Sequence, residues 1–264
     1  MKIPQLGFGT FQIPPEETAE AVANALSVGY RHIDTAAAYR NEKGVGDAVR
    51  ASGLARDEVF VTTKCWNSNQ GRAESRVAFE KSLGRLGLEY IDLYLIHWPL
   101  PSKDLYVDTW ATLIDLEREG LVGQIGVSNF EPDHLARIIG ETGVTPAFNQ
   151  VELHPYFRQT ELRAEHARLG ITTESWSPLA QGAVLDDPVI LGIAEAHGKS
   201  PGQVVIRWHL QLGCVVIPKS VTPSRIAENF DVFGFELAVD EMAAIAGLDR
   251  GERIGPDPAV FAMA

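Results

Sequence analysis

Short apolar runs alternate with longer amphipathic stretches along the whole chain. Eight of the short runs are dominated by apolar residues over a few positions, which is typical of strands buried on both faces of a parallel sheet. We therefore predict strands at residues 5–10, 31–34, 59–63, 91–96, 124–127, 147–150, 172–175 and 215–217.

The stretches between these runs have the spacing of helices that cover a sheet. Val22 and Leu26 fall on one helical face, after a Pro-Pro-Glu-Glu segment at 14–17 that is typical of a helix start. We expect Thr160 and Asp187 to be helix N-caps. The stretch 187–211 is predicted to hold two helices, broken near residues 198–201.

Eight strand–helix units in one unbroken chain predict an α/β protein with a (β/α)8 barrel. We expect one domain that spans residues 1–264. A doubly wound open sheet is the alternative. Gly7 and Gly9 are close-set, but the third glycine of the dinucleotide-binding fingerprint is missing, which disfavours this alternative.

Composition and charge narrow the range of functions. The chain has 264 residues and a formal net charge of −12, which disfavours binding to nucleic acids or anionic membranes. The two cysteines, Cys65 and Cys214, are too far apart to indicate a zinc or redox motif. The first residues also lack the apolar segment of a secretory leader. We therefore expect a cytoplasmic, reduced protein without a metal site.

Polar residues occur where the predicted strands end. In a parallel barrel these ends meet at one rim, where barrel enzymes have their active sites. The pattern holds at seven of the eight predicted strands, with Asp34, Lys64, His97, Ser128-Asn129, Gln150, Trp176 and Lys219-Ser220 at or directly after the ends.

Four residues near this rim suit carbonyl chemistry. A tyrosine has an ordinary pKa near about 10, and a neighbouring ammonium group stabilises the phenolate and lowers that value. Tyr39 and Lys64 supply this pair, and Asp34 can hold the lysine in place. His97 can donate a hydrogen bond to a carbonyl oxygen. The set suits protonation of an alkoxide as hydride reaches the carbonyl carbon.

Five longer motifs, in order along the chain, resemble those of the aldo-keto reductases. They are GYRHIDTA at 29–36, LYLIHWP at 93–99, GVSNF at 126–130, NQVELHP at 149–155 and IPKSVTP at 217–223. The segment ESW at 174–176 is similar to the bacterial branch of this family, which includes 2,5-diketo-gluconate and methylglyoxal-type reductases. The resemblance covers nearly the whole chain.

The resemblance implies a (β/α)8 barrel that reduces carbonyls with NADPH and has no Rossmann domain. Its catalytic residues would be Tyr39 as the general acid, Lys64 and Asp34 as the pair that polarises it, and His97 as the residue that orients the carbonyl. The substrates would be small aldehydes, dicarbonyls or keto-sugars.

The same resemblance assigns the cofactor-binding residues. Ser128, Asn129 and Gln150 match residues that hold the nicotinamide carboxamide, and Trp176 matches an aromatic ring that stacks on the nicotinamide. The other assigned residues are Ser177 and Leu179 for the pyrophosphate, Lys219, Ser220, Thr222 and Arg225 for the 2′-phosphate, Glu228 and Asn229 for the adenine, and Gly9 and Thr10 after the first predicted strand.

The substrate pocket is predicted from fewer signals. Phe11, Trp66 and Trp98 are expected to form its walls. The chain starts almost at the first predicted strand, so we expect the N-terminal hairpin of the family to be absent. The tail from Arg250 onward is short, which indicates an open pocket.

Two other classes of function remain as alternatives. A Schiff-base barrel enzyme of the aldolase type would use Lys64 or Lys219 as its nucleophile. A non-catalytic NADPH-binding module would keep the cofactor site without turnover. In each case we expect a monomer whose partner is a small molecule, with neither nucleic acid nor membrane involved.

Overall fold

A closed barrel of eight parallel strands forms the centre of the molecule. The computed structural model describes residues 2–263, so the two ends of the predicted 1–264 domain lie outside it. The strands are hydrogen-bonded in sequential order from first to last. Bonds from Gly7 N to Val216 O (2.8 Å) and from Val216 N to Gln5 O (2.9 Å) then close the sheet. The predicted (β/α)8 barrel is confirmed, and the open sheet is excluded.

Each strand lies at one of the eight predicted runs, with ends shifted by at most three residues. The first and last strands are the shortest, with two residues each. Between them, Leu6 pairs with Val216 only through an isolated bridge. The strands are β1 (Phe8–Gly9), β2 (His32–Asp34), β3 (Phe60–Cys65), β4 (Ile91–Ile96), β5 (Val122–Ser128), β6 (Phe148–Glu152), β7 (Thr172–Trp176) and β8 (Val215–Val216).

Ten α-helices are present within residues 2–263, and most of them connect consecutive strands. None of these helices is both long and apolar enough to cross a membrane. They are α1 (Pro15–Val28), α2 (Glu42–Ala51), α3 (Arg72–Leu86), α4 (Tyr106–Arg118), α5 (Pro132–Thr142), α6 (Thr160–Leu169), α7 (Pro188–His197), α8 (Pro201–Gln211), α9 (Pro223–Phe230) and α10 (Val239–Ala246).

Local sequence determines the start of α7 and the break between α7 and α8, as predicted. Asp187 caps α7, because its Oδ1 accepts a hydrogen bond from Val189 N at 2.9 Å. Gly198, with φ of 59°, ends α7 and separates it from α8. The predicted N-cap at Thr160 is wrong: the capping position is Gln159, in a left-handed conformation with φ of 51°. The turn into α6 therefore begins one residue earlier than the capping preference of threonine indicates.

The two faces of the strands pack against different clusters of side chains. The main apolar cluster lies between the sheet and the helices and includes Tyr94 of β4, whose ring lies 5.3 Å from that of Phe79 of α3. A separate apolar cluster occupies one part of the barrel interior, formed by Phe60, Leu93, Leu95, Phe148 and Val215. Further along the same interior faces the side chains become polar, and this change leads to the rim.

Candidate active site

A buried ion pair lies at the carboxyl ends of β2 and β3. Lys64 Nζ donates to Asp34 Oδ1 at 2.7 Å, to Asp34 Oδ2 at 2.8 Å and to the Thr35 carbonyl oxygen at 2.9 Å. Both side chains are almost fully buried. Because an ammonium group has three donors, every proton of Lys64 is used and its position is fixed.

The charges of this pair depend on each other. Burial has the largest single effect and disfavours the charged lysine, but Asp34, together with Tyr39 and Glu174, opposes burial and raises the pKa of Lys64 above its ordinary value. Burial likewise raises the pKa of Asp34, while Lys64 and a hydrogen bond from Gln150 oppose that effect. Lys64 is therefore a permanent cation at neutral pH.

Tyr39 lies beside this cation, in a short 3₁₀ turn (Ala37–Tyr39) that follows β2. Lys64 Nζ is 5.2 Å from the centroid of its ring. The surrounding protein desolvates the phenol and raises the pKa of Tyr39, and the opposing effect of Lys64 is smaller. The net lowering expected from the ammonium is thus not seen in the protein alone. Tyr39 keeps its proton at neutral pH, as a proton donor must.

His97 directly follows β4 and faces the same space. Its ring centroid lies 5.7 Å from that of Tyr39 and 5.2 Å from that of Trp66. Burial, with the nearby Lys64 charge, holds the pKa of His97 well below its ordinary value. The imidazole is therefore neutral and carries a single N–H donor. The four predicted catalytic residues are brought together at one rim.

The three predicted pocket-wall residues have different surroundings. Phe11 is half exposed, and its ring lies 5.1 Å from that of Tyr39. Trp66 packs against His97, as described above. Trp98 instead packs against Phe261 of the C-terminal tail, with 4.4 Å between ring centroids. The short tail therefore reaches the pocket side of the barrel.

A carboxylate at the end of β6 anchors this tail. Glu152 is buried, and its Oε1 accepts from Ile254 N at 2.6 Å while its Oε2 accepts from Gly255 N at 3.0 Å. Gly255 lies against the ring of Trp176: a Cβ atom at this position would be 2.4 Å from Trp176 Cη2. Further along, Asn67 Nδ2 donates to the Met263 carbonyl oxygen at 2.7 Å.

The residues assigned to the nicotinamide form one hydrogen-bonded group. Trp176 Nε1 donates to Asn129 Oδ1 at 2.8 Å, and Asn129 Nδ2 donates to the His97 carbonyl oxygen at 3.0 Å. Ser128 Oγ donates to the Gln150 carbonyl oxygen at 2.8 Å. Gln150 Nε2 donates to Asp34 Oδ2 at 2.8 Å, so this side chain also contacts the catalytic pair.

A groove of about 680 Å³ lies beside this group. Seven predicted cofactor residues line it together with Phe11: Ser177, Leu179, Lys219, Ser220, Arg225, Glu228 and Asn229. Gly9, Thr10 and Thr222 are not among its lining residues. Gly9 instead lies close to Ile217, whose carbonyl oxygen would be 2.7 Å from a Cβ atom at Gly9. Thr10 Oγ1 donates to the Asp34 carbonyl oxygen at 2.9 Å.

The groove has the features that a dinucleotide phosphate needs. Lys219 and Arg225 are exposed, and Arg225 lies in the first turn of α9. Thr222 occupies the N-cap of α9 without a side-chain cap, so free backbone N–H groups remain at the helix start. Two cations and a helix N-terminus form a suitable site for a 2′-phosphate.

Several residues at the site were missed by sequence reasoning. The loop after β7 supplies Pro178, Gln181 and Gly182 to the groove, and Gln181 has a left-handed φ of 54°. The start of α8 adds Ser200, Pro201 and Gly202. Gly182 lies between two predicted elements, and this position could have indicated a loop that contributes to the site. The α8 residues gave none, because their contact with the groove depends on tertiary packing.

The fold and the site together define a class of protein. A (β/α)8 barrel carries a neutral tyrosine, a buried lysine–aspartate pair and a neutral histidine at one rim, beside a groove whose lining includes Lys219 and Arg225. Such a constellation is suited to proton donation next to a bound dinucleotide. Among residues 2–263 there is no group of three or more side chains that could hold a metal ion.

Comparisons with known proteins agree with this class. The model of the aldo/keto reductase family matches residues 5–250. The chain is 57% identical to methylglyoxal reductase DkgA of Salmonella typhimurium, over 98% of this chain and 94% of the relative. The chain belongs to the aldo/keto reductase family.

Solved structures are similar over the same extent. An aldo/keto reductase from Brucella melitensis is 55% identical with a TM-score of 0.91, over 94% of this chain and 95% of that chain. A mutant of Gox0644 in complex with NADPH is 51% identical with a TM-score of 0.95, over 98% and 94% of the two chains.

Proposed function

We propose that the protein reduces the carbonyl group of small aldehydes, dicarbonyls or keto-sugars with NADPH as the electron donor. The observation that carries this proposal is the buried Lys64–Asp34 pair beside a protonated Tyr39 and a neutral His97. The similarity to methylglyoxal reductases supports a small dicarbonyl as one substrate.

Each catalytic residue has one role in this reaction. His97 donates a hydrogen bond that orients the carbonyl oxygen toward Tyr39. Tyr39 gives its phenolic proton to that oxygen as negative charge develops on it. Lys64 stabilises the resulting phenolate, and Asp34 keeps the lysine charged and in position. NADPH, when bound, supplies the hydride that the carbonyl carbon accepts.

The remaining predicted residues hold the cofactor. Lys219, Ser220 and Arg225 would bind the 2′-phosphate at the start of α9. Ser177 and Leu179 would contact the pyrophosphate, and Glu228 and Asn229 the adenine. Trp176, fixed by its bond to Asn129, would stack on the nicotinamide ring, whose carboxamide Ser128, Asn129 and Gln150 would contact. Gly9, Thr10 and Thr222 do not line the groove: Thr10 Oγ1 donates to the Asp34 carbonyl oxygen, and Thr222 occupies the N-cap position of α9.

The geometry disfavours the Schiff-base alternative. A nucleophilic lysine must lose its proton, whereas the Asp34 carboxylate raises the pKa of Lys64 and occupies two of its three donors. Lys219 is exposed at the groove, whereas a nucleophilic lysine is usually desolvated in an apolar pocket. A non-catalytic module would not require the arrangement of Tyr39, His97 and the buried Lys64–Asp34 pair at the rim.

Turnover of a carbonyl panel with NADPH, followed by nicotinamide absorbance, tests the proposal. We expect oxidation of NADPH with methylglyoxal and related compounds. Tyr39→Phe removes only the proton donor, and should lower kcat by at least about 100-fold, the usual contribution of general acid catalysis. Near-normal turnover in this variant would contradict the assignment of Tyr39, and inactivity of the parent toward every carbonyl would favour the non-catalytic module.

The wider organisation is also a proposal. We infer that residues 1–264 form a single domain and that the protein acts as a cytoplasmic monomer. The closed barrel, whose first strand region pairs with the last, supports the single domain. Gel filtration combined with light scattering tests the monomer.

A further inference from the structure

A second buried carboxyl group lies inside the barrel, next to the catalytic pair. Glu174 is on β7, in register with Gln150 of β6 and with Val215 of β8. Its side chain is fully buried, and neither Oε1 nor Oε2 has a hydrogen-bond partner among residues 2–263. An unpartnered buried carboxylate is costly, so the position of this group requires an explanation.

The titratable groups near Glu174 lie on β2, on β3 and in the turn after β2 that holds Tyr39. His32 of β2 is the nearest, with Nε2 at 3.6 Å from Glu174 Oε1. Asp34 of β2 and Lys64 of β3 act on it electrostatically. The strands on either side contribute only the uncharged Gln150 and Val215. Gln150 also donates to Asp34, and so connects the two carboxyl groups.

None of these neighbours neutralises a charged Glu174. Burial lowers the pKa of His32 to about 3, so its imidazole is neutral, and Lys64 is already paired with Asp34. Burial, and then the negative charge of Asp34, raise the pKa of Glu174 to about 8, against smaller opposing effects of Gln150 and Lys64. Because Lys64 and Gln150 donate hydrogen bonds to Asp34 and the Glu174 oxygens receive none, we assign the negative charge to Asp34 and the proton to Glu174.

We propose that Glu174 is a positioning residue whose proton is required for Tyr39 to act as an acid, so that loss of this proton ends carbonyl reduction at alkaline pH. The inference rests on the proposed function of Tyr39. When Glu174 ionises, its O–H bond breaks, the proton passes to solvent and the carboxylate retains the negative charge. That charge opposes the negative charge that Tyr39 must develop, and it competes for the field of Lys64.

The pH dependence of kcat for methylglyoxal and NADPH, compared between the parent and Glu174→Gln, tests the proposal. Glutamine has the size of glutamate and cannot ionise. We expect kcat of the parent to decline above about pH 8, and the decline in Glu174→Gln to move upward by about one pH unit or more. KM should change little, because Glu174 is fully buried inside the barrel. An unshifted alkaline decline would overturn the proposal.

Glu42→Gln is the matched control. Glu42 is also a buried carboxylate, but it accepts from Arg85 Nε at 2.6 Å and from Thr63 Oγ1 at 2.6 Å, and so belongs to a satisfied network outside the site. Its replacement should leave the alkaline decline where it is in the parent. A shift of equal size in this variant would show that any lost buried charge has the effect, and would overturn the specific role of Glu174.

Infrared difference spectroscopy of protein labelled with ¹³C-glutamate gives a readout without activity. We expect a protonated-carboxyl carbonyl band at neutral pH that disappears through about pH 8 and is missing in Glu174→Gln. Absence of this band in the parent at neutral pH overturns the inference, even if the variant does not fold. Activity in Tyr39→Phe would instead refute the role of Tyr39 while leaving the infrared result intact, so the two failures can be told apart.

Discussion

The catalytic rim differs from the part of the groove at Lys219 and Arg225, which we propose binds the 2′-phosphate and call the phosphate end. At the rim, Lys64 is buried and its three donors already have acceptors within the protein. At the phosphate end, Lys219 and Arg225 are exposed, and the helix start at Thr222 has no side-chain cap. The charges at the rim are paired within the protein, whereas we expect those at the phosphate end to be paired only when the cofactor binds.

Because of this difference, we expect variants at the rim and variants in the groove to affect different quantities, the stability of the barrel and the affinity for the cofactor. Charges buried at the rim were desolvated during folding, so their removal should affect both the stability of the barrel and the reaction. Charges in the groove remain hydrated, so their removal should affect cofactor binding and leave unfolding unchanged. Variants at the two places therefore provide direct tests, and the following four are ordered from the largest expected effect to none.

Asp34→Asn should have the largest effect. It leaves the buried Lys64 without its counter-ion, which should lower the free energy of unfolding by about 3–5 kcal/mol and abolish most turnover. Urea denaturation and steady-state kinetics measure the two losses. Asp47→Asn is the control, because Asp47 pairs with Lys43 on the exposed face of α2 and its replacement should leave the urea midpoint nearly unchanged. Unchanged stability in Asp34→Asn would remove the proposed contrast.

Arg225→Ala should change affinity without changing stability. Loss of a charge-assisted hydrogen bond to the 2′-phosphate should weaken NADPH binding by about 1.5–3 kcal/mol and leave NADH binding nearly the same. Isothermal titration with both cofactors measures this. Arg118→Ala removes an equal charge from the exposed end of α4 and is the control. Equal losses for NADPH and NADH would show that Arg225 does not contact the 2′-phosphate.

Trp176 lies between the catalytic rim and the groove, and Trp176→Ala tests whether its ring stacks on the cofactor or only packs within the protein. Loss of stacking should weaken both NADPH and NADP⁺ by about 0.5–1.5 kcal/mol beyond the loss of buried area. Quenching of tryptophan fluorescence by NADPH should also diminish. Trp176→Tyr keeps an aromatic face and should bind nearly normally. Normal affinity of Trp176→Ala for both cofactors, with earlier melting, would assign the ring to packing alone.

Extended chelation should have no effect on turnover. Hydride transfer with a tyrosine acid needs no Lewis acid, and no cluster of potential metal ligands lies within the described part of the chain. The check is the NADPH-dependent rate before and after dialysis against a chelator. A loss of rate that zinc restores would contradict both the mechanism and the contrast drawn above.

The sequence contains most of the information on where polar groups meet. Lys64 and His97 were predicted to share a rim because each follows an apolar run, and parallel strands bring such ends together. The paired helices α7 and α8 were predicted from Gly198 and Pro201. The family motifs then gave chemical roles that spacing alone could not supply.

The sequence did not reveal the interior neighbours. Glu174 on β7 and His32 on β2 are separated by 142 positions in the sequence. They approach each other only because the sheet closes into a barrel. The sign of the pKa change at Tyr39 was also wrong, since it depends on how far burial exceeds the field of Lys64. The extent of burial at one atom is a property of packing that no local pattern records.

The contact between Gly255 and Trp176 also limits how the pocket can be re-engineered. A side chain at Gly255 would collide with the indole ring and with Glu152 Oε2, which would be 2.9 Å from the new Cβ atom. Libraries that vary the tail to change substrate preference should therefore hold this glycine constant and diversify positions beyond it, such as Phe261. The tail then contains one fixed position and one adjustable position, separated by only a few residues of chain.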